Sequence, residues 1–446
     1  MASRALERTG SAVFMLALAF LFFVGGAVVV LSDAGPAELL RDAYQAGEAL
    51  IARRDMDSGQ GRGDFWRDAR SDARGVTVHD EDRAFAGYTL YTSGDGPYAR
   101  LIDMEGRTLH EWRRPYSEVW HEGAAVREPR PDSFVYMDEA RVLADGSLLA
   151  IYIGAGATPW GHGLVKLDRN SGVVWSYLAH THHDFDLDSR GRIYVLANEL
   201  VDERPELFRQ LRRPWLNDFL VVLSPDGEEL RRIDLLKAAL ESDYRALMYA
   251  VPYFGLGDPQ HTNTVEVITA DKAATLPFAE AGQVLLSFRD IGVVAILDVE
   301  RETIVWATRG PWIGQHDPSL VDGGNILLFD NLGNMKPDNR SRVIEFDPRT
   351  MQIRWVYAGD AARPLDSDIR GAAQRLPNGN TLIEESTRGR LVEVTRSGEV
   401  VWEWINPVRR DDDPGLIPVV PSARRLLPSE LDDEFRSLLA PSEEST

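Results

Sequence analysis

A chain of 446 residues with 44% hydrophobic and 27% charged side chains can bury a large core, and wholesale disorder is excluded. Its 49 Lys and Arg against 70 Asp and Glu give a formal charge of −21, which repels phosphate backbones and makes nucleic acid a poor partner. There is no cysteine, which rules out thiolate catalysis, Cys-ligated zinc or iron–sulfur sites and any disulfide framework.

Residues 11–32 (SAVFMLALAFLFFVGGAVVVLS) are 22 uncharged, mostly apolar positions, long enough to cross a hydrocarbon core. A signal-peptide core usually has only about 7–15 apolar residues, and no clean small-x-small cleavage site follows this one. Arg4 and Arg8 against Glu7 make the preceding flank positive, whereas Asp33, Glu38 and Asp42 against Arg41 make the following one negative. This bias predicts a signal anchor that leaves residues 1–10 in the cytoplasm. The protein would then cross the inner membrane once, with the bulk of the chain in the periplasm. A cleaved signal or a buried core helix is the alternative. Residues 33–84 read as a helical stalk and linker. Over 37–53, Leu39, Leu40, Ala43, Ala46, Ala49 and Leu50 recur at helical spacing, and 55–80 is rich in Gly, Asp, Arg and Ser.

From residue 85 to 406 the chain repeats itself. A Gly turn, an apolar strand, a second strand ending in Asp and a turn into a strand with Trp recur in LADGSLLAIYI…GLVKLDRNSGVVWSYL, in VDGGNILLFDN…SRVIEFDPRTMQIRWVY and in LPNGNTLIEES…GRLVEVTRSGEVVWEW. Gly146, Gly191, Gly282, Gly324 and Gly379 mark five units, and GYTLYTS…ARLIDMEGRTLHEW precedes them as a sixth. Trp112, Trp175, Trp306, Trp355 and Trp402 fall on outer strands, with RRIDLL in their place in the third unit. Units of about 45–50 residues made of short strands and Gly/Asn/Asp turns predict an all-β fold, a six-bladed β-propeller. Insertions fall near 200–215 and 235–258, and residues 407–446 form a C-terminal extension.

His183 and His316 each lie ten positions before Ile193 and Ile326, so both start the first, channel-lining strand of a blade. His261 in DPQHTNTVEVI starts the fourth blade in the same way. A second register, after each turn glycine, holds Asn198, Arg289, Asn331 and Ser386. A lone strand histidine is usually a structural one. Three of the nine histidines at one repeat position instead point to a joint site on the axis, with His180, His182 and His162 as loop or support residues and His79, His110 and His121 as structural ones. Three imidazoles could hold zinc, but an Arg aimed at the same spot repels a divalent cation and attracts an anion such as a sulfate or phosphate ester. No metal and no cofactor is therefore expected. Walker loop, dinucleotide fingerprint and Gly-x-Ser-x-Gly elbow are all missing, and GAGATPWGHG reads as a plain loop between strands.

HTHHDFDLDSRGRIYVL, DPQHTNTVEVI, LLSFRDIGVVAILD, GQHDPSLVDGGNILLFDN and RLPNGNTLIEESTRGRLVEVTRSGEVVWEWINP, in this order, resemble the bacterial arylsulfate sulfotransferases over roughly residues 85–406. The resemblance implies a six-bladed propeller with a funnel-shaped central site. It also implies transfer of a sulfuryl group from a phenolic sulfate ester to a phenol, without a nucleotide donor and through a sulfated histidine. By motif, His316 in GQHD matches the sulfated residue, while His261 and Asn263 in HTNT, Arg289 in SFRD and His183 in HHDF match the supporting residues. The chain departs from the family's well-known periplasmic members in its membrane anchor, its stalk and its lack of cysteine. A non-catalytic anchored propeller that serves as scaffold or binding module, and a hydrolase of sulfate or phosphate esters, are the competing readings.

Overall fold

The computed structural model describes residues 2–32, 35, 37 and 65–439, except 338. The chain divides into two units, Met1–Gly63 and Asp64–Thr446. In the first, one helix runs over Ala2–Leu31. Its stretch Val13–Leu31 has a mean hydropathy of 2.8 and is, among the described residues, the one helix long and apolar enough to cross a membrane. Such a helix suits a membrane anchor or a signal sequence. Apart from Ala37, the helix expected over 37–53 lies outside the described residues.

The second unit is a six-bladed propeller of antiparallel sheets. Blade two is Val135–Val142, Leu148–Gly154, Gly161–Leu167 and Val173–Tyr177 from the axis outward. Blade three is Thr181–Leu187, Ile193–Val201, Trp215–Leu223 and Glu229–Asp234. Blade four is Thr262–Val267, Val284–Phe288, Val293–Asp298 and Thr303–Arg309. Blade five is His316–Val321, Asn325–Asp330, Arg342–Asp347 and Gln352–Tyr357. The expected insertions extend the Ile193–Val201 hairpin and place a short helix, Leu235–Leu240, between blades three and four.

The two remaining blades correct the boundaries expected at 33–84 and 407–446. Blade one takes Tyr88–Thr92, Tyr98–Ile102 and Thr108–Arg113 from the start of the propeller, but its innermost strand is Ala423–Leu426. Blade six is Ala372–Arg375, Thr381–Glu385, Arg390–Val394 and Val400–Ile405, with Gly75–His79 added at its outer edge. The stretch read as a linker thus carries a strand of blade six, and a second strand, Trp66–Asp68, pairs with Leu416–Pro418. The C-terminal residues close the ring instead of trailing from it. Beyond them, the helix Asp433–Leu439 buries Phe435 completely against Trp112 and His110. Gly146, at φ +81°, leaves it room, since a Cβ there would lie 2.4 Å from the Phe435 ring.

The middle strands read as continuous apolar runs because both of their faces are buried. Leu148 and Leu149, adjacent in sequence, enter the two different cores on either side of blade two. Six such cores fill the six gaps between blades. The repeated outer tryptophans fasten neighbours together. Trp112, Trp175, Trp355 and Trp402 donate their indole N–H to carbonyls of Gly146, Pro225, Arg396 and Met104, each in the following blade.

Candidate active site

Each innermost strand pairs with its neighbour through a fixed base residue: Val142, Leu187, Val267, Leu320, Arg375 and Leu426 oppose Leu148, Ile193, Val284, Ile326, Thr381 and Tyr88. Four residues before these bases stand Asp138, His183, Asn263, His316, Gly371 and Ser422. All six line one cavity of about 190 Å³ on the propeller axis. By strict alternation this position would share the blade-facing side of the base residue. In blades two to five the ladder shifts register at or beside it, between Met137 and Glu139, Thr181 and Phe185, Thr262 and Thr264, and His316 and Ser319. Such bulges re-aim side chains. The backbone is left-handed at His183 (φ 56°) and Asp317 (φ 50°), where neither residue gains glycine's freedom.

This register corrects one expectation. The residue of blade four that matches His183 and His316 is Asn263, and His261 lies two positions upstream, just before the strand. His183, Asn263 and His316 line the cavity, whereas His261 and Arg289 flank it, their side chains each 21% exposed.

His316 is 7% exposed, and its Nδ1 meets two acceptors, Gly314 O at 3.0 Å and Asn331 Oδ1 at 2.8 Å. The Asn331 amide is oriented by donating Nδ2 to the carbonyls of Ser367 (2.8 Å) and Arg370 (2.6 Å), so its oxygen must face the imidazole. Nδ1 therefore carries the proton and Nε2 the free lone pair. Burial, with the Arg289 guanidinium adding to it, lowers the His316 pKa to about 3, and the ring is neutral throughout the physiological range.

The other two histidines differ sharply. Nδ1 of His261 bonds Asp258 Oδ2 at 2.6 Å. Burial opposes its charge, but the Asp258 carboxylate outweighs burial and raises the His261 pKa. His183 shares one proton with His182 across a 2.7 Å Nδ1–Nδ1 contact. Burial and the neighbouring His182, His261 and His316 push its pKa well below the ordinary value. The His183 and His261 rings lie 5.0 Å apart, with the Trp160 indole 5.8 and 5.6 Å from them. Arg289 donates Nη1 to Asp290 Oδ1 at 2.8 Å, and its buried Nε has no hydrogen-bond partner. Asn263 donates Nδ2 to Gln315 O at 2.9 Å.

Farther along the axis the cavity is walled by Glu139, Asp184, Asp317 and Glu384, with Arg141, Arg370 and Arg424. Two of these acids hold the ring together. Asp184 Oδ2 accepts from Val265 N at 2.8 Å and Asp317 Oδ2 from Ala373 N at 2.9 Å, each capping the open edge of the next blade. Burial raises Asp184 to about 6, Asp317 to about 7 and Glu139 to about 8. Among the described residues no group of three or more His, Asp and Glu is placed to hold a metal ion.

Sequence reading missed Asp258, Trp160 and Arg370, all from loops without a repeat pattern. It saw Asn331 in register but not its hold on His316. Of the histidines read as supporting, His182 is fully buried behind His183, His180 bonds Gly161 O at 2.9 Å and His162 bonds Trp160 O at 2.9 Å. His110 bonds Arg169 O at 2.8 Å, away from the axis.

Solved structures match the chain at low identity. A protein of unknown function from Bacteroides caccae is 12% identical, with a TM-score of 0.46 over 75% of this chain and 99% of that one. A streptogramin B lyase is 11% identical, with a TM-score of 0.41 over 81% and 98%. At these scores the six-bladed assignment rests on the strand order above. No curated protein matches. The family described as "Arylsulfotransferase (ASST)" matches residues 139–407, more than half of the chain and the span holding every histidine of the site. The chain belongs to the arylsulfotransferase family.

Proposed function

We propose that the protein moves a sulfuryl group from a phenolic sulfate ester to a phenol, with His316 as its covalent carrier. The observation that carries this reading is the fixed tautomer of His316: Asn331 Oδ1 and Gly314 O hold its Nδ1 proton, and Nε2 is a neutral nucleophile on the cavity wall. Nε2 attacks sulfur, and the S–O(aryl) bond breaks with its electron pair on the phenolate oxygen. A proton from His261 or His183 completes the leaving phenol. The acceptor's hydroxyl then returns a proton, its oxygen attacks the same sulfur, and the N–S bond breaks back to Nε2.

Sulfuryl transfer resembles phosphoryl transfer, with a loose transition state, so positioning and charge stabilisation dominate. Arg289, with an unpartnered Nε and a planar fork, suits two sulfuryl oxygens. Asn263 keeps a second amide proton for a third, and loss of one such donor costs roughly 10²–10³ in rate. The Trp160 indole beside both histidines offers an aromatic wall for the phenyl ring.

The test is an aryl sulfate incubated without acceptor. The protein should release about one phenol per chain as a burst and carry a sulfuryl adduct on the His316 peptide. With excess phenol, an aryl sulfate product separates a transferase from a hydrolase, which gives free sulfate, and from a scaffold, which gives neither. Absence of burst and adduct overturns the reading. The charge flanks of 11–32 further support an uncleaved inner-membrane anchor with a periplasmic propeller. Protease added to spheroplasts should digest the propeller, and a soluble form starting near Ala34 would overturn the anchor.

A further inference from the structure

The two histidines beside His316 look interchangeable in composition but not in surroundings. Asp258 Oδ2 accepts the Nδ1–H of His261 at 2.6 Å while Asp258 Oδ1 takes the His261 backbone N–H at 3.2 Å, so one carboxylate fixes both ring and backbone. His261 sits at φ 47°, a left-handed conformation that a free loop would relax. The Trp160 indole lies tilted 30° to the His261 ring with centroids 5.6 Å apart, within reach of a cation–π attraction when the imidazole is charged. His183 instead meets Trp160 edge-on at 89°, and its Nδ1 faces only the neutral His182. From blade four, Asp290 and Arg289 face His261 with opposite signs and are paired with each other at 2.8 Å. From blades three and five come His182, His183, Asp218 and His316.

We infer that Asp258 is a positioning residue that holds His261 as an imidazolium and thereby makes His261, not His183, the carrier of the reaction's proton between the two half-reactions. The inference rests on the sulfuryl-transfer reading. As His316 Nε2 forms the N–S bond and the S–O(aryl) bond breaks, the His261 Nε2 proton passes to the phenolate oxygen, and the neutral ring waits. The incoming phenol gives its proton to that Nε2 as its oxygen displaces the sulfuryl group from His316. The raised pKa of His261 agrees with this division, as does the depressed pKa of His183.

The experiment uses Asp258→Asn in the full chain with two donors, 4-nitrophenyl sulfate and phenyl sulfate. Nitrophenolate leaves without a proton, so its transfer should slow by less than about tenfold. Phenyl sulfate needs the acid and should slow about 10²–10³-fold. The alkaline limb of kcat/KM for phenyl sulfate should also move to lower pH, and Asp258→Glu should restore part of it. Equal losses for both donors with an unmoved pH profile would overturn the inference and leave Asp258 a structural residue. If Asp258→Asn does not fold, His261→Gln must show the same donor selectivity, and equal losses there overturn the inference as well. A His316 adduct from 4-nitrophenyl sulfate in Asp258→Asn keeps the covalent reading intact whatever the selectivity. Failure of the wild-type protein to form that adduct sinks the covalent reading itself.

Discussion

Blades two to five differ from blades six and one at a single level of the axis. Asp138, His183, Asn263 and His316 stand at or beside a ladder shift, whereas Gly371 and Ser422, at the same count from the base, immediately precede strands whose pairing runs without interruption. A regular strand gives the axis every second side chain and sends the rest between blades. Blades two, four and five carry one extra residue at this level and blade three carries two, and together the four strands gather two imidazoles, an amide and a carboxyl in one cavity. The regular blades keep the ring closed, one of them by joining Ala423–Leu426 to Tyr88–Thr92. The comparison teaches that the local irregularity, not the repeat, shapes the cavity that holds the candidate residues.

The comparison breaks most visibly at His316. Replacement by Asn should remove burst and adduct together and lower transfer at least ~10⁴-fold, because a carrier and its whole half-reaction are lost. Ser422→Ala, at the equivalent place on a regular blade, should leave the rate within about threefold. Comparable losses at both positions, measured with one donor and acceptor pair, would show that the bulge is not what marks the site. Arg289→Lys sharpens the picture at smaller scale: charge stays while the fork is lost, so the adduct should still form but about 10–100-fold more slowly. An adduct that forms at the wild-type rate would remove Arg289 from the sulfuryl group.

Much of this was readable in the sequence because the repeat is strict. Turn glycines gave the blade count, and the spacing of His183 and His316 from Ile193 and Ile326 was the same in both blades. The same counting failed in blade four, where a helical insertion, Ala270–Ala273, separates the inner strand from Val284, and only strand pairing puts Asn263 in register in place of His261. Ala423–Leu426 (ARRL) escaped notice because an innermost strand faces a polar channel and lacks apolar alternation. Its partner also lies more than 300 residues away. Gly75–His79 was hidden by a neighbourhood of Gly, Asp and Arg, and its partner is equally remote. Asp258 and Trp160 act from loops, where no period marks a residue's direction.

The difference between bulged and regular blades also predicts how stability responds to pH. Asp184 and Asp317, on bulged strands, each cap an open backbone N–H of the next blade. Glu384, on the second strand of blade six, is 2% exposed, lines the same cavity, and has no hydrogen-bond partner on either carboxyl oxygen. Burial, with Glu139, Asp317 and Asp138 adding repulsion, raises its pKa well above the ordinary value. The folded state therefore keeps a proton that the unfolded chain has lost, and this contribution to stability disappears as pH rises above the ordinary carboxyl range. Glu139, raised to about 8, acts in the same direction. The buried histidines act oppositely: His316 and His182, lowered to about 3, and His162, lowered to about 4, make stability rise with pH. That rise ends near the ordinary imidazole value of about 6.5. Above it the carboxyls and His261, whose pKa Asp258 raises, act in the same direction, so the melting temperature should fall between about pH 6.5 and 8.5. Glu384→Gln keeps the shape, removes one titration and offers an N–H to the surrounding acids, so the slope should flatten and the protein should melt about 2–4 °C higher at pH 8. Asp317, raised to about 7, titrates in the same direction, but Asp317→Asn should raise the melting temperature at pH 8 less than Glu384→Gln does, because it also weakens the bond accepted from Ala373 N. Thermal melts across this range test both, and an unchanged slope in Glu384→Gln would mean that the carboxyl of the regular blade is as well partnered as those of the bulged ones.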